Sequence, residues 1–221
     1  MGSPDSDEDA WGAEQPQHLV TISQPLYLGR YPVTQAQWQA VMGKNPSHFR
    51  GDNLPVERVS WHDAQAFIAR LRRWEGGNAL YFLPTEAEWE YACRAGSNTA
   101  YCFGDSNTPR HLGRYAWYCD NSGGSTQPVG LLQPNAWGLY DMHGNVREWV
   151  QDWYGKYPAG AVTDPEGPSS GTDRVLRGGG WNFDARYRRA ARRNFHTPDY
   201  GYDYVGFRNY QIGRASCRER V

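Results

Sequence analysis

RVLRGGGWNFDARYRRAARRNFHTPDYGYDYVGFR, residues 174–208, joins two kinds of sequence. Its ends, Arg174-Val175-Leu176-Arg177-Gly178-Gly179-Gly180-Trp181 and Gly206-Phe207-Arg208, carry the residues that a framework requires. Between them Phe183, Asp184, Tyr187, Arg192, Phe195, His196, Thr197, Tyr200, Tyr202, Asp203, Tyr204 and Val205 follow neither a helical nor a strand period. Tyrosine broken by Asp, Gly and Pro has the composition of a binding loop, where rigid amphipathic rings offer contact area at small entropic cost. The segment therefore predicts a surface displayed on one face and held by framework at both ends. Those twelve residues are the candidate ligand-binding set.

Outward from that segment, 221 residues suffice for one core, and no linker divides them. Ten Trp, fifteen Tyr, 25 Gly and 14 Pro favour short strands and turns over a helical bundle. A net charge of −1 gives no bulk attraction to nucleic acid or an acidic membrane, so no nucleic-acid partner is expected. No apolar run could span a bilayer, so no membrane insertion is expected. The start, Met1 to Asp9, is acidic where a secretion signal would be basic; a cytoplasmic location is the default, and surface display requires a segment upstream. Cys93, Cys102, Cys119 and Cys217 form no CxxC and no zinc spacing. Reduced thiols are expected, with a Cys102–Cys119 pair conceivable only in an oxidising compartment. Residues 212–221, IGRASCRERV, back-translate into a common sequencing adapter and read as a non-native tail.

Three helices are signalled at their starts. Thr34 caps one that ends at Gly43, Ser60-Trp61-His62-Asp63 is a capping box with Asp for Glu, and Thr85-Glu86-Ala87-Glu88 is a full one. Ala64, Phe67, Ile68 and Leu71 give the second a buried face. Short strands are expected at Val20–Ile22 and Leu26–Gly29, and a half-buried one at Asn145–Val150, with a strand entry at Pro128–Gly130. Asp105–Gly130 and Tyr154–Thr172 read as loop. Glu86, Glu88, Glu90 and Arg94 read as capping and surface pairing, and the Arg188, Arg189, Arg192, Arg193 cluster as solvated or internally paired. His18, His62 and His143 have no ligand partner at helical spacing and read as structural or surface imidazoles.

The order Tyr31-Pro32-Val33-Thr34, Leu83-Pro84-Thr85-Glu86-Ala87-Glu88-Trp89-Glu90, Gly138-Leu139-Tyr140-Asp141-Met142-His143-Gly144-Asn145-Val146-Arg147-Glu148-Trp149, Arg177-Gly178-Gly179 and Gly206-Phe207-Arg208 resembles the formylglycine-generating-enzyme (sulfatase-modifying factor) family over one domain, residues 1–211. The resemblance implies an α+β, C-type-lectin-like fold with few helices, short twisted antiparallel sheets and much coil. The family's oxidases bind copper through two cysteines, whose positions fall here on Phe183 and near Tyr187 or Arg188. Without that thiolate pair no copper and no such oxidase activity are expected. The family's hercynine-oxygenase members need an added iron-binding helical domain, which is absent here. A structural calcium site is implied at Asp141, Gly144, Val146 and Glu148, since oxygen-only ligation suits a hard cation.

Residues 174–208 also resemble the variable region of ligand-binding proteins encoded by diversity-generating retroelements, which use the same fold branch. There, template adenines are replaced at random, mostly in AAC codons. Each of the twelve candidate residues is reachable from AAC by such changes. The expectation is a bacterial, non-catalytic binding protein whose partner is a protein or other macromolecule. The alternatives are a formylglycine-generating oxidase and an interaction or sensor domain of fixed sequence.

Overall fold

Thr34, Ser60 and Thr85 each start a helix by the same device. In each, the hydroxyl accepts from the backbone three residues on, and the side chain there returns a hydrogen bond to the cap's own N–H. Such caps contribute about 1 kcal/mol each. The computed structural model describes residues 1–76 and 80–212; Cys217 and residues 213–221 lie outside them. The three helices are α1 (Gln35–Met42), α2 (Trp61–Trp74) and α3 (Glu86–Arg94). Gly43 closes α1 in the left-handed conformation, as its sequence predicts.

The strands are β1 (Val20–Thr21), β2 (Leu26–Leu28), β3 (Leu80–Phe82), β4 (Arg147–Trp153), β5 (Val162–Thr163), β6 (Arg174–Arg177), β7 (Arg193–His196), β8 (Val205–Phe207) and β9 (Tyr210–Ile212). A four-stranded sheet in the order β7-β6-β4-β8 organises the molecule, beside a three-stranded sheet, β2-β9-β3, and the pair β1-β5. The small sheets are not all antiparallel: β8 joins β4 in parallel, and β1 joins β5 in parallel. Residues 174–208 thus supply both outer neighbours of β4, with β6 and β8 on either side.

The four-stranded sheet is covered on both faces. Trp149, Leu176, Val205 and Phe207 pack with Trp38, Phe67 and Ile68 of α1 and α2. Val150 and Val175, from the other face, pack with Trp89, Ala92 and Cys93 of α3. Fully burying side chains of this size contributes roughly 1.5–3 kcal/mol each. β4 is therefore not half-buried: Arg147, Glu148, Trp149 and Val150 are all buried, because helices cover both sides. Alternation tells which residues share a face but not whether a second layer covers it.

Other expectations need correction. A short helix, α4 (Pro109–Leu112), lies in the stretch read as loop, and its Leu112 joins a small cluster with Tyr101, Ala116 and Tyr118. No strand begins at Pro128: Val129 and Gly130 form a turn, with Gly130 N–H donating to Asp141. β5 falls within Tyr154–Thr172. Cys93, Cys102 and Cys119 are free thiols, buried, partly buried and exposed respectively. Among the described residues no helix is long and apolar enough to cross a membrane.

Candidate functional site

Strand alternation, period two, divides the candidate residues of β7 between opposite faces. Arg193 and Phe195 turn towards α3, and Phe195 stacks on Tyr154 at 4.0 Å between ring centres. His196 turns the other way and stacks on Tyr200, 3.7 Å apart and 4° from parallel. From His196 the rings continue in contact: Tyr200 to Tyr202 at 5.6 Å, Tyr202 to Tyr204 at 5.2 Å, and Tyr204 edge-on to Phe183 at 5.0 Å. Phe183 then meets Tyr187 at 6.0 Å, and Tyr187 meets Trp11 at 6.4 Å. The outcome is one aromatic face, with Tyr202 and Trp11 about half exposed at 52% and 54%.

The loop carrying these rings is anchored by its backbone. Trp61 N–H donates to Pro198 O, Arg58 N–H to Tyr202 O, and Arg147 N–H to Tyr204 O, at 3.0, 3.0 and 2.8 Å. Trp181 Nε1 donates to Asp203 O at 2.9 Å, tying the framework tryptophan to the same loop. Gly206 must be glycine, since a Cβ there would stand 2.5 Å from Val56 O. Tyr200 and Tyr204 share a hydrogen bond between hydroxyls and rest on the core beneath. That burial and bond push the Tyr200 phenol above its ordinary range.

Two candidates are buried away from the face, and a third lies on the other side of β7. Val205 is 0% exposed, since β8 places it opposite Arg147 inside the sheet core. Arg192 is 2% exposed, bonded to Glu14 at 3.3 Å and stacked under Trp11 at 3.4 Å. Neither can touch a ligand as the sequence suggests, and Phe195 lies on the far side of β7 from His196. Phe183, Asp184, Tyr187, His196, Thr197, Tyr200, Tyr202, Asp203 and Tyr204 remain exposed or half-exposed. The residue that sequence reasoning missed is Trp11, which enters from a short 3-10 turn at Gly12–Glu14. No local period marks it; its contacts with Arg192 beneath it and Tyr187 beside it bring it here.

The arginine cluster is internally paired and not solvated. Arg189 bonds Glu14 at 2.7 Å and Asp7 at 2.9 Å, and Arg193 grips Glu86 through Nε and Nη2 at 2.7 and 2.8 Å. Arg188 instead gives its hydrogen bonds to the backbone oxygens of Gly180, Phe183 and Asp184. Burial pulls its pKa down to about 9. Glu86 and Glu90, expected as surface residues, are buried and share Arg177 at 3.1 and 2.5 Å. Only Glu88 keeps the capping role alone. His143 is wholly buried, its Nδ1 2.7 Å from Arg188 O, and burial lowers its pKa to about 4.

The oxygen set of Asp141, Gly144, Val146 and Glu148 comes together in one loop and strand start. Asp141 and Asn145 adopt positive φ, 59° and 71°, to make that turn. Asp141 Oδ2 accepts from Gly130 N–H, while buried Oδ1 has no hydrogen-bond partner among the described residues. Burial raises the Asp141 carboxyl to about 6. Glu148 is already engaged by Arg208, through Nε and Nη2 at 2.6 Å each, and by Trp89 Nε1 at 2.8 Å. Among the described residues no three His, Cys, Asp or Glu side chains converge on a metal position. A cation here would need the backbone carbonyls, and the orphaned Oδ1 is the observation that fits one.

At the positions implied for copper-binding cysteines stand Phe183 and Tyr187–Arg188. Among the described residues the thiol nearest to them in contact is Cys119, whose N–H donates to Phe183 O and whose Sγ lies 3.6 Å from Asp184 Oδ1. Burial and the adjacent acids push that thiol up to about 11, away from the thiolate a metal requires. Cys93 and Cys102 belong to a separate place, beside His143.

The sequence profile of the sulfatase-modifying factor enzyme 1-like domain matches residues 1–211. The chain is 36% identical to chaperone protein LppX of Paenibacillus barcinonensis, over 73% of this chain and 71% of that one. It is also 36% identical to the formylglycine-generating enzyme of Mus musculus, covering 86% of this chain but only 52% of the mouse protein. The solved structure of Treponema denticola variable protein 1 superposes with a TM-score of 0.84 at 34% identity, covering 96% of this chain and 91% of that one. Proteins with such different names share one scaffold, so function has to be argued from the site.

Proposed function

This chain belongs to the sulfatase-modifying factor enzyme 1-like family, and we propose that it is a non-catalytic ligand-binding member, a variable protein of the diversity-generating-retroelement type. The continuous aromatic face from His196 to Trp11 carries this reading. Exposed, preorganised rings on a rigid backbone are what a macromolecular interface uses as anchors, because little conformational freedom is lost on binding. The likeness to a protein named as variable supports the same reading. Its partner is a protein or other macromolecule, and calcium, held by Asp141, Gly144, Val146 and Glu148, serves structure alone.

The deciding experiment is sequencing of the gene's 3′ region and flanks in the source DNA. A near-copy differing only at adenines, beside a reverse transcriptase, is the expected outcome. A single invariant allele without such a copy rejects diversification. Tyr202→Ala, whose ring is exposed, then tests binding without disturbing the core on which Tyr200 and Tyr204 rest. For calcium, a rise in Tm on adding the ion to chelator-treated protein is expected, absent in Asp141→Ala.

The second reading, a copper-dependent oxidase, has the identity to the mouse enzyme in its favour. It predicts stoichiometric copper(I) binding, which the Phe183 and Tyr187–Arg188 positions give no thiolate to provide.

A further inference from the structure

The buried arginines around this segment are compensated, with one exception. Arg177 has Glu86 and Glu90, Arg189 has Glu14 and Asp7, Arg192 has Glu14, Arg193 has Glu86, and Arg208 has Glu148. Arg188 has three backbone carbonyls. Arg147 has none of these. It is 4% exposed, and its guanidinium makes no hydrogen bond or ion pair with a described residue; an unpartnered Nε it has in common with Arg177, Arg188, Arg189 and Arg192. The charged and polar groups around it include Tyr204, Tyr200, Tyr187, His196 and the like-charged Arg192 and Arg188, and no ion pair joins it to a carboxylate among the described residues. The acids of the segment are turned elsewhere: Asp184 lies by Arg186, Asp199 by His62, and Asp203 by Glu57.

What Arg147 does have is the aromatic face. Its guanidinium lies 3.9 Å from the centre of the Phe183 ring, directly under the middle of the run of rings. A buried cation is normally matched by a carboxylate, because leaving it unmatched costs several kcal/mol of solvation. A cation held against one side of a ring also draws on its π charge, so the outer side attracts cations less and tolerates anions better. Both effects select the same chemistry in a partner.

We propose that Arg147 is the anion-recognition residue of this surface, and that the partner is a protein segment presenting an Asp or Glu carboxylate beside an apolar or aromatic contact. The inference rests on the reading of the aromatic face as a binding surface. Arg147 belongs to β4, outside residues 174–208, so it supplies the same charge whatever side chains that segment carries. Sequence variation would then change shape around a constant preference for acid. A carboxylate arriving at Arg147 forms charge-assisted hydrogen bonds in a site already stripped of water, where they are strongest.

The probe is a phage-displayed random 12-residue peptide library panned on the immobilised chain, followed by affinity measurements on the enriched peptides. Peptides carrying an acid at a constant spacing from an aromatic are expected. Their affinity should fall about tenfold or more in Arg147→Met, and recover in part in Arg147→Lys. The methionine variant replaces an unpaired buried charge by an apolar side chain of similar length, so its Tm should be no lower than wild type. Enriched peptides without acids, or with unchanged affinity for Arg147→Met, overturn the proposal and leave the binding surface standing. Peptides that bind Tyr202→Ala and Trp11→Ala as tightly as wild type overturn the surface itself, as does a library that yields no binders.

Discussion

Residues 174–208 turn opposite chemistries towards the two faces of one sheet. Towards α3 they send arginines, Arg177 and Arg193, which meet Glu86 and Glu90 in complete burial. Away from it, and into the adjoining loop, they send rings, and Tyr202 stands half in water. Beside the apolar core formed by Val175, Leu176, Val205 and Phe207, the segment therefore buries charge on one side and shows aromatic rings on the other. The buried arginines of the segment are stable because each, among the described residues, has a carboxylate or backbone carbonyls as partner, whereas the rings need only their neighbours. A scaffold held by fixed ion pairs can therefore carry changing side chains on its other side; the arginines meet the aromatic face at Phe183, Tyr187 and Trp11.

The largest effect should come from breaking the charged side. Arg177→Met leaves Glu86 and Glu90 with one fewer cation in a dry site and should cost roughly 3–5 kcal/mol, seen as loss of folded protein or a steep fall in Tm. A variant that melts like wild type would mean that the network is ornamental. Asp152→Asn should act in the opposite sense. The Asp152 carboxyl, buried and close to Glu86, is raised to about 8, and its Oδ2 accepts from Glu86 N–H at 2.7 Å. A carboxyl raised in the folded state favours folding while it is protonated, and that contribution is lost as pH climbs from the ordinary carboxylate range towards 8. Asn keeps the acceptor and never ionises. The variant should gain on the order of 1–2 kcal/mol over wild type by pH 8, with the gap widening from pH 5 upwards; a constant gap would refute the ionisation account.

The remaining two tests separate the faces. Phe195→Ala removes the ring stacked on Tyr154 and should cost about 1 kcal/mol in stability while leaving peptide affinity unchanged. Loss of affinity there would place the binding surface on both sides of β7. Tyr202→Ala should change stability by less than about 0.5 kcal/mol, since its ring is exposed. Its affinity for peptides selected on the wild-type chain should nonetheless drop markedly, and unchanged affinity would move the hot spot elsewhere.

Much of the framework was legible before any coordinates. Thr34, Ser60 and Thr85 announced their helices because a capping box is a contact between residues three apart. The tyrosine loop was legible by composition, for Gly and Pro break any regular period there. Arg192 and Val205 misled for the same reason: residue type shows what a side chain can do, not which way it faces. Val205 was decided by a parallel pairing to β4 from nearly sixty residues away, and Arg192 by Glu14 and Trp11 from the first turn of the chain.

By itself, then, the sequence determined the family, the capped helices, the missing cysteine pair and the aromatic character of one segment, because each is a property of residues close along the chain. Tertiary structure alone decided which arginines find carboxylates, that Trp11 completes the aromatic face, and that Arg147 lies beneath it with no carboxylate partner among the described residues. Those outcomes depend on distances between residues far apart in sequence. A buried charge is satisfied or not only once the fold has chosen its neighbours.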